Sequence, residues 1–495
     1  MLLTELFSQS GVVADRILGD VDTTAIVADS RKVQPGSLFV CMPSRNTDSH
    51  SFLGEAKARG AVAALTHTDA GCEAAWNAGL ASALVRDSGL GFSDALWRLC
   101  KTFFGNPTAA MRLVGVTGTN GKTTTTWILR DALEALGRKA AYLGTLGYKT
   151  SQGIVKLENT TPFAVDLSQV LHDARQYGTQ DFVMEVSSHA LAEHRVDGLE
   201  FDAAVFTNLT QDHLDYHGTM KEYGEAKRRL FTELPAQSHK GFKGALNVDD
   251  PTGAAWVKDL PVPTVSYGLS GGDLRGQLIE VGVDHVKMAL EFGGHKAECH
   301  TRLGGNFNVE NTLSACAGLL ALGYSLDEAV KGLSAATPVP GRFEAIPNDL
   351  GIGVLVDYAH TPDALVKLLD AAKALKHRRL IVVFGCGGDR DRTKRPLMAR
   401  AASERADITV VTSDNPRTED PAAIIEEVKS GLLYGCNSVS IPDRRDAIQA
   451  AVNMAHAGDV VVIAGKGHED YQIIGRTKYP MDDRKMAREA MEALK

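Results

Sequence analysis

Short, strongly apolar runs alternate along the chain with stretches in which apolar residues recur at helical spacing. In the middle of the sequence, residues 112–118 predict a buried strand, and residues 124–136 predict a helix that Gly137 closes at its carboxyl end. Two further apolar runs, residues 182–186 and 203–206, predict short strands in the same part of the chain. The pattern therefore indicates strands that alternate with helices.

The last third of the chain repeats this alternation, with short apolar runs at residues 354–356, 380–384, 408–411 and 460–463. Strands that alternate with helices favour a mostly parallel sheet with helices on both faces. Ligands of such sheets bind beyond the carboxyl ends of the strands. The polar clusters that follow these strands are therefore the candidate functional residues.

Two turn-rich connectors divide the sequence. Residues 105–108 (GNPT) precede the first strand of the middle segment, and residues 338–341 (PVPG) form a second, stiff connector. We therefore expect an α/β protein with three domains, covering residues 1–107, 108–337 and 338–495. Each segment has a plausible domain size.

Composition narrows the class of protein. A chain of 495 residues with 44% hydrophobic and 23% charged residues is typical of a multidomain globular enzyme. The net charge of −8 argues against a protein that binds nucleic acids or membrane surfaces in general, because both are anionic. Seven cysteines without CxxC spacing favour reduced thiols, and no apolar run approaches the roughly 20 residues of a membrane helix. We expect a cytoplasmic protein without membrane insertion.

The strongest chemical signal is the segment GTNGKT at residues 118–123, between the first predicted strand and helix of the middle segment. Glycines allow the backbone N–H groups to face a phosphate, Lys122 adds a positive charge, and the Thr123 hydroxyl can ligate Mg²⁺. Val116 stands where the general phosphate-loop pattern has its first glycine. A plain glycine-rich turn is the alternative.

Two further candidates follow predicted strands. Glu185 ends one of them, where a carboxylate can meet the Mg²⁺ of a nucleotide, although a glutamate that caps a helix or forms a salt bridge is about as plausible. His213 follows another strand end, where a hydrogen-bonded loop histidine is the commoner case. The segment HALAEH at residues 189–194 fits neither HExxH nor HxxEH, which argues against a zinc site.

In order and spacing, a series of short motifs resembles the Mur ligases, which build the stem peptide of peptidoglycan. The motifs, in chain order, are GTNGKTTT, ENTTP, MEVSSHAL, TNLTQDHLDYHG, GNFNVEN, PGRFE, DYAHTPD, GCGGDRD and GKGHEDY. The sequence is most similar to members that add meso-diaminopimelate. The resemblance implies a small N-terminal α/β domain that binds the uridine nucleotide, a central P-loop ATPase-like domain with a parallel sheet, and a C-terminal Rossmann-like, doubly wound domain that binds the amino acid.

The resemblance implies ATP and two Mg²⁺ ions, and it assigns a carbamylated lysine to Lys227, which helix pattern alone would place on a solvated face. CO₂ addition would turn this cation into an oxygen donor suited to Mg²⁺. The metal-site residues would be Thr123, Glu185, His213 and Lys227; the catalytic residues would be Lys122, Glu185, His213 and Lys227. The ATP contacts would be Gly118, Thr119, Asn120, Gly121, Lys122, Thr123, Thr124, Asn308, Asn311, Arg342 and Asp357.

For the second substrate, a UDP-N-acetylmuramoyl dipeptide, the resemblance implies contacts from the N-terminal and central domains. These residues are Ser30, Ser44, Asn159, Thr160, Thr161, Ser187, Glu193 and Arg195. Glu193 departs from the glutamine of some relatives, and an acid next to an anionic substrate puts that contact in doubt.

For the third substrate, the motif DNPR points to meso-diaminopimelate. Arg417 can bind a carboxylate through two hydrogen bonds, and Asp414 and Asn415 can receive an ammonium group. A plain turn around the proline is the alternative. The implied contacts are Arg390, Asp414, Asn415, Pro416, Arg417, Gly465 and Glu469.

The implied reaction activates the D-glutamate carboxylate by phosphoryl transfer from ATP, and the amino group of the incoming residue then attacks the acyl phosphate. We expect a monomer. Alternative enzymes are a lysine-adding or dipeptide-adding Mur ligase and a folylpolyglutamate synthetase, although the phosphate loop of the last lies closer to its N-terminus. An alternative that is not a ligase is a nucleotide-dependent switch or binding module that retains the phosphate loop.

Overall fold

The computed structural model describes residues 1–43, 48–87, 91–150 and 153–494. The chain forms two compact units. The first comprises Met1–Thr126, Gly137–Ser266 and Ala321–Gly323, and the second comprises Trp127–Leu136, Tyr267–Leu320 and Tyr324–Lys495. Strands and helices are numbered below in chain order.

The first unit begins with a five-stranded sheet that is parallel except for its first strand, in the order β1-β5-β4-β3-β2. Its strands are β1 Arg16–Leu18, β2 Ala25–Val27, β3 Ser37–Val40, β4 Ala63–Thr66 and β5 Ala81–Leu84. Its helices are α1 Leu3–Ser10, α2 Leu53–Ala58, α3 Asp69–Asn77 and α4 Gly91–Phe104. Strands β3 to β5 are buried along their whole length, which is why they consist almost entirely of small and apolar residues.

A second sheet of the first unit carries the phosphate loop. Its strands are β6 Arg112–Thr117, β7 Ala140–Gly144, β8 Gly147–Thr150, β9 Gly153–Val155, β10 Asp181–Glu185, β11 Ala203–Phe206, β12 Lys243–Asn247 and β13 Thr264–Gly268. The pairs β7–β10, β10–β6, β6–β11 and β11–β12 are parallel, and the hairpin strands β8 and β9 extend the edge beyond β7. The helices are α5 Lys122–Ala135, α6 Ala164–Gln176, α7 Ser188–Ala192, α8 Leu214–His217, α9 Met220–Arg228, α10 Glu233–Ala236 and α11 Pro251–Asp259.

The central position of β6 between β10 and β11 fixes the place of the candidate site. Because these three strands are parallel, the residues that follow each of them reach the same edge of the sheet. The loop at residues 118–121 follows β6, Glu185 ends β10, and Thr207 follows β11. Most of α5 (residues 127–135) belongs to the second unit, as does Thr337, whose hydroxyl accepts a hydrogen bond from Trp127 Nε1 (3.1 Å).

The second unit contains an antiparallel meander and a six-stranded sheet. The meander consists of β14 Leu274–Val281, β15 Val286–Phe292 and β16 His295–Thr301, followed by the helices α12 Phe307–Ala321 and α13 Leu326–Leu333. The sheet order is β17-β18-β22-β19-β20-β21, parallel except for β17. Its strands are β17 Glu344–Ala345, β18 Gly353–Asp357, β19 Leu380–Cys386, β20 Ile408–Ser413, β21 Ser438–Ser440 and β22 Val460–Ala464.

Helices cover both faces of the six-stranded sheet and build one apolar core on each face. They are α14 Pro362–Lys373, α15 Lys394–Ser403, α16 Pro421–Lys429, α17 Arg444–Met454 and α18 Asp483–Glu492. The core on one face includes α14, α15 and α16, and the core on the other includes α17 and α18. A separate hairpin, β23 Tyr471–Ile474 and β24 Thr477–Pro480, follows β22.

The structure confirms the expected α/β class with parallel sheets. The strands predicted at residues 112–118 and 203–206 are β6 and β11, and the predicted helix begins two residues earlier, at Lys122. Gly137 closes this helix with a φ of +81°. The three-domain division stays a prediction. Within the described residues, no helix is both long enough and apolar enough to cross a membrane.

Candidate active site

The phosphate loop joins β6 to α5 in a conformation that needs its glycines. Gly118 has a φ of +148°, and a Cβ atom there would lie 1.9 Å from the Thr207 hydroxyl. The Thr119 and Asn120 N–H groups donate to the backbone oxygen (2.8 Å) and the side-chain oxygen (3.0 Å) of Asn208. The N–H groups of the first turn of α5 have no acceptor within the helix, so they are the backbone donors that a phosphate could use here.

Two lysines converge on this loop. Lys122 Nζ donates to the Gly118 carbonyl (3.0 Å) and to the Thr119 carbonyl (2.8 Å), and Lys227 Nζ donates to the same Gly118 carbonyl (2.8 Å). Lys227 is 1% exposed, so the solvated position that helix pattern alone indicates is wrong. The Tyr223 ring, 4.4 Å from Lys227 Nζ, forms one wall of its pocket. Burial, aided by the Lys122 charge, holds the pKa of Lys227 well below its usual range.

Glu185 is buried at the end of β10 and accepts hydrogen bonds from neutral donors. Its Oε1 accepts from the Tyr142 hydroxyl and the Thr145 N–H, both at 2.8 Å, and its Oε2 accepts from the Thr145 hydroxyl at 3.2 Å. The Thr123 hydroxyl lies 3.4 Å from the Thr145 hydroxyl. Thr145 therefore joins the two predicted metal ligands Thr123 and Glu185. Thr145 could not be identified from the sequence, because its position after a strand is shared by many other residues.

His213 lies beside the phosphate loop in a cluster of aromatic side chains. Its φ of +51° puts it in the left-handed region just before α8, and its side chain is about half exposed. Its ring centroid is 4.8 Å from that of His189 and 6.1 Å from that of Tyr223. The Tyr223 hydroxyl in turn lies 3.2 Å from the Thr119 hydroxyl. Burial lowers the pKa of His189 and that of His217, with smaller contributions from neighbouring cations.

The predicted metal residues lie in two adjacent groups around the phosphate loop, one with Thr123 and Glu185 and the other with His213 and Lys227. Within the described ranges, no three His, Cys, Asp or Glu side chains gather closely enough to bind a metal by themselves. The Thr123 hydroxyl and the Glu185 carboxylate are oxygen donors suited to Mg²⁺, and phosphate oxygens can be further ligands. The residues present therefore fit Mg²⁺ that binds together with a nucleotide.

The residues predicted to bind the muramoyl peptide surround the end of β10. The buried Thr161 donates to the Glu185 carbonyl (2.9 Å) and accepts from the Ser187 N–H (3.2 Å). Arg195 Nη1 donates to the Thr161 carbonyl (3.0 Å), and its guanidinium lies 3.9 Å from the Phe163 ring centroid. Peptide-binding and metal-binding candidates therefore share one edge of the sheet.

Glu193, which departs from the family pattern, has a partner in the structure. Its Oε2 accepts hydrogen bonds from Arg195 Nε (2.8 Å) and Nη2 (2.5 Å), and its Oε1 accepts one from the Tyr216 hydroxyl (3.3 Å). The Arg195 charge thus offsets the negative charge of Glu193. An acid at this position is compatible with an anionic substrate, because the Glu193 carboxylate already forms an ion pair with Arg195.

The other predicted contacts in this unit are less closely grouped. Thr160 lies 3.3 Å from the Thr145 hydroxyl, Asn159 is exposed, and the buried Ser30 donates to Glu55 Oε2 (2.9 Å). Ser44 lies outside the described residues.

The second unit holds the remaining predicted ATP residues. Near the start of α12, Asn308 donates to the Gly304 carbonyl (2.7 Å) and Asn311 donates to Asn308 Oδ1 (2.9 Å). Asp357, at the end of β18, accepts from the N–H groups of Phe343 (2.7 Å) and Ala359 (2.8 Å). Burial raises the pKa of Asp357, against the lowering effect of the Arg342 charge.

The predicted amino-acid residues come together at the carboxyl ends of β19, β20 and β22. Arg417 has a φ of +52°, and its Nη1 donates to the Gly388 carbonyl (2.8 Å). A Cβ atom at Gly388 would lie 1.9 Å from the Pro416 carbonyl oxygen, so the two loops touch through their backbones. Arg390 is exposed on the first of these loops and donates to the Asp389 carbonyl (3.0 Å). The DNPR segment therefore packs against the loop after β19 and is not an isolated turn.

Asp414 and Asn415 are almost fully buried between the DNPR loop and the loop after β22. A Cβ atom at Gly465, which has a φ of +117°, would lie 2.7 Å from Asp414 Oδ2. Asn415 Oδ1 accepts from the Ile473 N–H (2.9 Å) and from Lys466 Nζ (3.0 Å), and Asn415 Nδ2 donates to Glu469 Oε2 (3.0 Å). Both acceptor positions of the Asn415 oxygen are thus used, so its amide nitrogen is the group left to face a ligand. The structure therefore does not support the expectation that Asn415 receives an ammonium.

Comparisons with known proteins identify the family. Residues 116–319 match the Mur ligase middle domain, and residues 341–467 match the glutamate ligase domain of Mur ligases. Proteins named UDP-N-acetylmuramoyl-L-alanyl-D-glutamate–2,6-diaminopimelate ligase from Geobacter metallireducens and Geobacillus thermodenitrificans are each 43% identical to this chain. The first alignment covers 96% of this chain and 95% of the relative, and the second covers 96% of each. A solved structure with the same name has a TM-score of 0.69 at 33% identity and covers 95% of both chains.

Proposed function

Because this chain belongs to the Mur ligase family, we propose that it joins meso-diaminopimelate to the D-glutamate of UDP-N-acetylmuramoyl-L-alanyl-D-glutamate. ATP is converted to ADP and phosphate in this step of peptidoglycan synthesis. The observation that carries the substrate assignment is Arg417, held beside the buried Asp414 and Asn415 at the carboxyl end of β20. Lysine lacks the second carboxylate that such an arginine would bind.

The phosphate loop supports activation of the D-glutamate carboxylate as an acyl phosphate. Backbone N–H groups at the start of α5 bind the phosphates, and Lys122 moves its ammonium from the Gly118 and Thr119 carbonyls to the γ-phosphoryl group. The amino group of the incoming residue then attacks the acyl carbon and phosphate leaves. This scheme needs no covalent enzyme nucleophile, so positioning and charge stabilisation supply the catalysis.

We assign the sites of two Mg²⁺ ions to Thr123, Glu185, His213 and a carbamylated Lys227. Bound Mg²⁺ would neutralise charge on the phosphate oxygens during transfer. Carbamylation requires a neutral amine, and burial favours that form of Lys227. A second argument is that Lys122 Nζ and Lys227 Nζ lie on one carbonyl oxygen. A charged Lys227 would be repelled by the Lys122 ammonium, whereas a carbamate there would be attracted to it.

The muramoyl dipeptide is proposed to bind along Asn159, Thr160, Thr161, Ser187 and Arg195. Thr160 and Thr161 contact Thr145 and the Glu185 backbone, so a carboxylate bound here lies near the proposed metal ligands. The uridine nucleotide is assigned to residues 1–107, which include Ser30 and Ser44. ATP is assigned to residues 108–337 together with Arg342 and Asp357. The amino acid is assigned to residues 338–495. We further propose a cytoplasmic monomer.

The amino-acid site offers separate places for charges of both signs. Arg417 and the amide nitrogen of Asn415 are donors for a carboxylate, whereas Asp414 and Glu469 are acceptors for an ammonium. Meso-diaminopimelate carries a carboxylate and an ammonium at the end that does not react, which fits this division. Arg390, Pro416 and Gly465 complete the proposed contact set.

A product-mass assay tests the proposal directly. Purified enzyme receives ATP, Mg²⁺, the UDP-muramoyl dipeptide and an equimolar mixture of meso-diaminopimelate, L-lysine and D-alanyl-D-alanine. The expected product has gained one diaminopimelate residue, and phosphate release depends on the presence of both acceptor and amino acid. A lysine adduct would contradict the substrate assignment, and phosphate release without either substrate would instead favour a nucleotide switch.

A further inference from the structure

Lys466 is a buried cation that none of the predicted contacts includes. It follows β22 in the GKGHEDY segment, and its side chain has no exposed surface. Its Nζ lies 3.0 Å from Asn415 Oδ1, 3.2 Å from Glu469 Oε2 and 5.8 Å from the Tyr471 ring centroid. A charged group without access to water needs such partners, because its desolvation is costly. The partners of Lys466 are two of the residues that face the proposed amino-acid ligand.

The contacts of Lys466 determine how Asn415 is oriented. An ammonium group has three donors and no acceptor, so the atom of Asn415 that faces it must be the amide oxygen. The Ile473 N–H, 2.9 Å from the same oxygen, requires the same orientation. The Asn415 amide nitrogen therefore points towards Glu469 Oε2, which accepts from it at 3.0 Å. Without Lys466, one of the two constraints on the amide would be lost and Glu469 would lose its nearest cation.

We infer that Lys466 is a positioning residue for the amino-acid substrate, acting through Asn415 and Glu469. The inference rests on the proposed function in one respect: it assumes that Asn415 and Glu469 contact the incoming amino acid. Because Lys466 is fully buried, it does not touch the substrate itself. It holds the Asn415 amide as a donor and keeps the Glu469 carboxylate in place to accept an ammonium.

The test is a comparison of Michaelis constants in Lys466→Met, which keeps most of the side-chain length and removes the charge. We expect the KM for the amino acid to rise about tenfold or more, since a buried partner of two hydrogen bonds is removed. The KM values for ATP and for the UDP-muramoyl dipeptide should stay within about threefold of the wild-type values. The assay uses whichever amino acid the wild-type enzyme incorporates in the product-mass assay. If that amino acid is not meso-diaminopimelate, the proposed function is refuted, but the role of Lys466 can still be tested.

Arg379→Met is the matched control. Arg379 pairs with the buried Asp459 at the amino ends of β19 and β22, the edge of the same sheet opposite to Lys466. This variant should lower the melting temperature and leave all three KM values unchanged. If Lys466→Met raises the three KM values together, or leaves the amino-acid KM within about threefold of wild type, the positioning role is refuted.

A double-mutant cycle with Asn415→Ala separates positioning from a general structural role. If Lys466 acts through Asn415, Lys466→Met should raise the amino-acid KM much less in the Asn415→Ala background than in wild type. Equal effects in both backgrounds would overturn the inference. Should Lys466→Met fail to fold, Lys466→Arg keeps the charge with a different donor geometry. It should then raise the amino-acid KM selectively, and an unchanged KM in this folded variant would count against the inference.

Discussion

At the scale of single residues, the candidate site contains two lysine side chains that are buried in the structure. Lys227 and Lys466 are both buried lysines, and each donates to an oxygen that belongs to a site residue. They differ in their partners, because Lys466 faces a carboxylate whereas Lys227 faces a carbonyl and a second cation. This difference is the physical reason to propose chemical modification for Lys227 alone.

Lys122→Ala tests the activation step. Because Lys122 would neutralise charge on the γ-phosphoryl group during transfer, ligation should fall by about 10²-fold or more while the fold is retained. Initial rates and a thermal melt of the variant provide the measurement, with the exposed Lys258→Ala as control. Unchanged turnover in folded Lys122→Ala would contradict activation by ATP at this loop.

Lys227→Ala tests the carbamate. We expect loss of most activity, since an oxygen donor for Mg²⁺ disappears, and partial recovery on addition of a short carboxylic acid that supplies oxygens in the vacated space. The same acid should not restore the activity of Lys122→Ala, because that variant lacks a positive charge and not a metal ligand. An active alanine variant, together with a mass spectrum and density that show an unmodified lysine in wild type, would refute the carbamate.

Arg417→Ala tests the choice of amino acid. Binding of lysine leaves the half-buried guanidinium without a carboxylate, which costs about 1–3 kcal/mol, or about 5- to 150-fold in discrimination. The ratio of kcat/KM for meso-diaminopimelate to that for lysine should therefore fall in the variant, with little change in the KM for ATP. Arg400→Ala, an exposed arginine on α15, is the control. A wild-type preference for lysine, or a ratio that the substitution leaves unchanged, would refute the assignment.

At the scale of elements, the amino-acid site depends on loops that touch through their backbones. The loop after β19 approaches the DNPR loop at Gly388 and Pro416, and the loop after β22 approaches it at Gly465 and Asp414. Hairpin β23–β24 adds a third contact, because Arg417 N–H donates to the Ile473 carbonyl (3.0 Å). The position of Arg417 is therefore a property of four chain segments and not of the DNPR motif alone.

Gly388→Ala tests this arrangement. The added methyl group would lie 1.9 Å from the Pro416 carbonyl oxygen, so the DNPR loop must move. We expect the KM for the amino acid to rise by about tenfold or more, since displacements of about 1 Å can cost far larger factors in rate. Gly271→Ala, where a Cβ atom meets nothing within 4 Å, is the matched control. Equal kinetic constants in Gly388→Ala and wild type would show that the loop contact does not position the site.

At the scale of the whole molecule, each compact unit has its own apolar cores. In the first unit, one core joins buried residues of the first two sheets and a smaller core lies against the five-stranded sheet. The two faces of the six-stranded sheet carry separate cores in the second unit. The second unit also contains a fully buried ion pair between Arg444 and Asp483, with Nη2 and Oδ2 2.6 Å apart. Arg444 is held further by the Ala464 carbonyl (2.9 Å), at the end of β22.

Arg444→Ala tests whether the units unfold separately. Removal of one partner of a buried ion pair costs about 3–5 kcal/mol, because the Asp483 carboxylate stays buried without its cation. Calorimetry should show one transition moved to lower temperature and another unchanged. Arg445→Ala, which breaks an exposed pair with Glu489, should cost less than about 1 kcal/mol. A single transition that moves as a whole would contradict independent unfolding.

The sequence by itself determined the α/β class and the positions of the buried parallel strands that follow its short apolar runs. Parallel strands buried on both faces must be continuously apolar, so β6, β11 and β22 are visible as runs of small and apolar residues. The phosphate loop was also predicted from sequence, because glycines before a lysine have few other uses between a strand and a helix. The family resemblance then added the substrates, since motif order over the whole chain is far more specific than any one motif.

Only the tertiary structure decided which polar residues are partners. Lys227, beside two arginines in sequence, is buried because α9 turns that side chain towards the phosphate loop, a packing contact between residues 109 positions apart. Thr145 and Lys466 were identified in the same way, through hydrogen bonds that join separate segments. The Tyr216 hydroxyl, 23 positions further along the chain, likewise donates to Glu193. Local sequence fixes periodicity and turns, whereas burial and charge pairing depend on which distant segments the sheet order brings together.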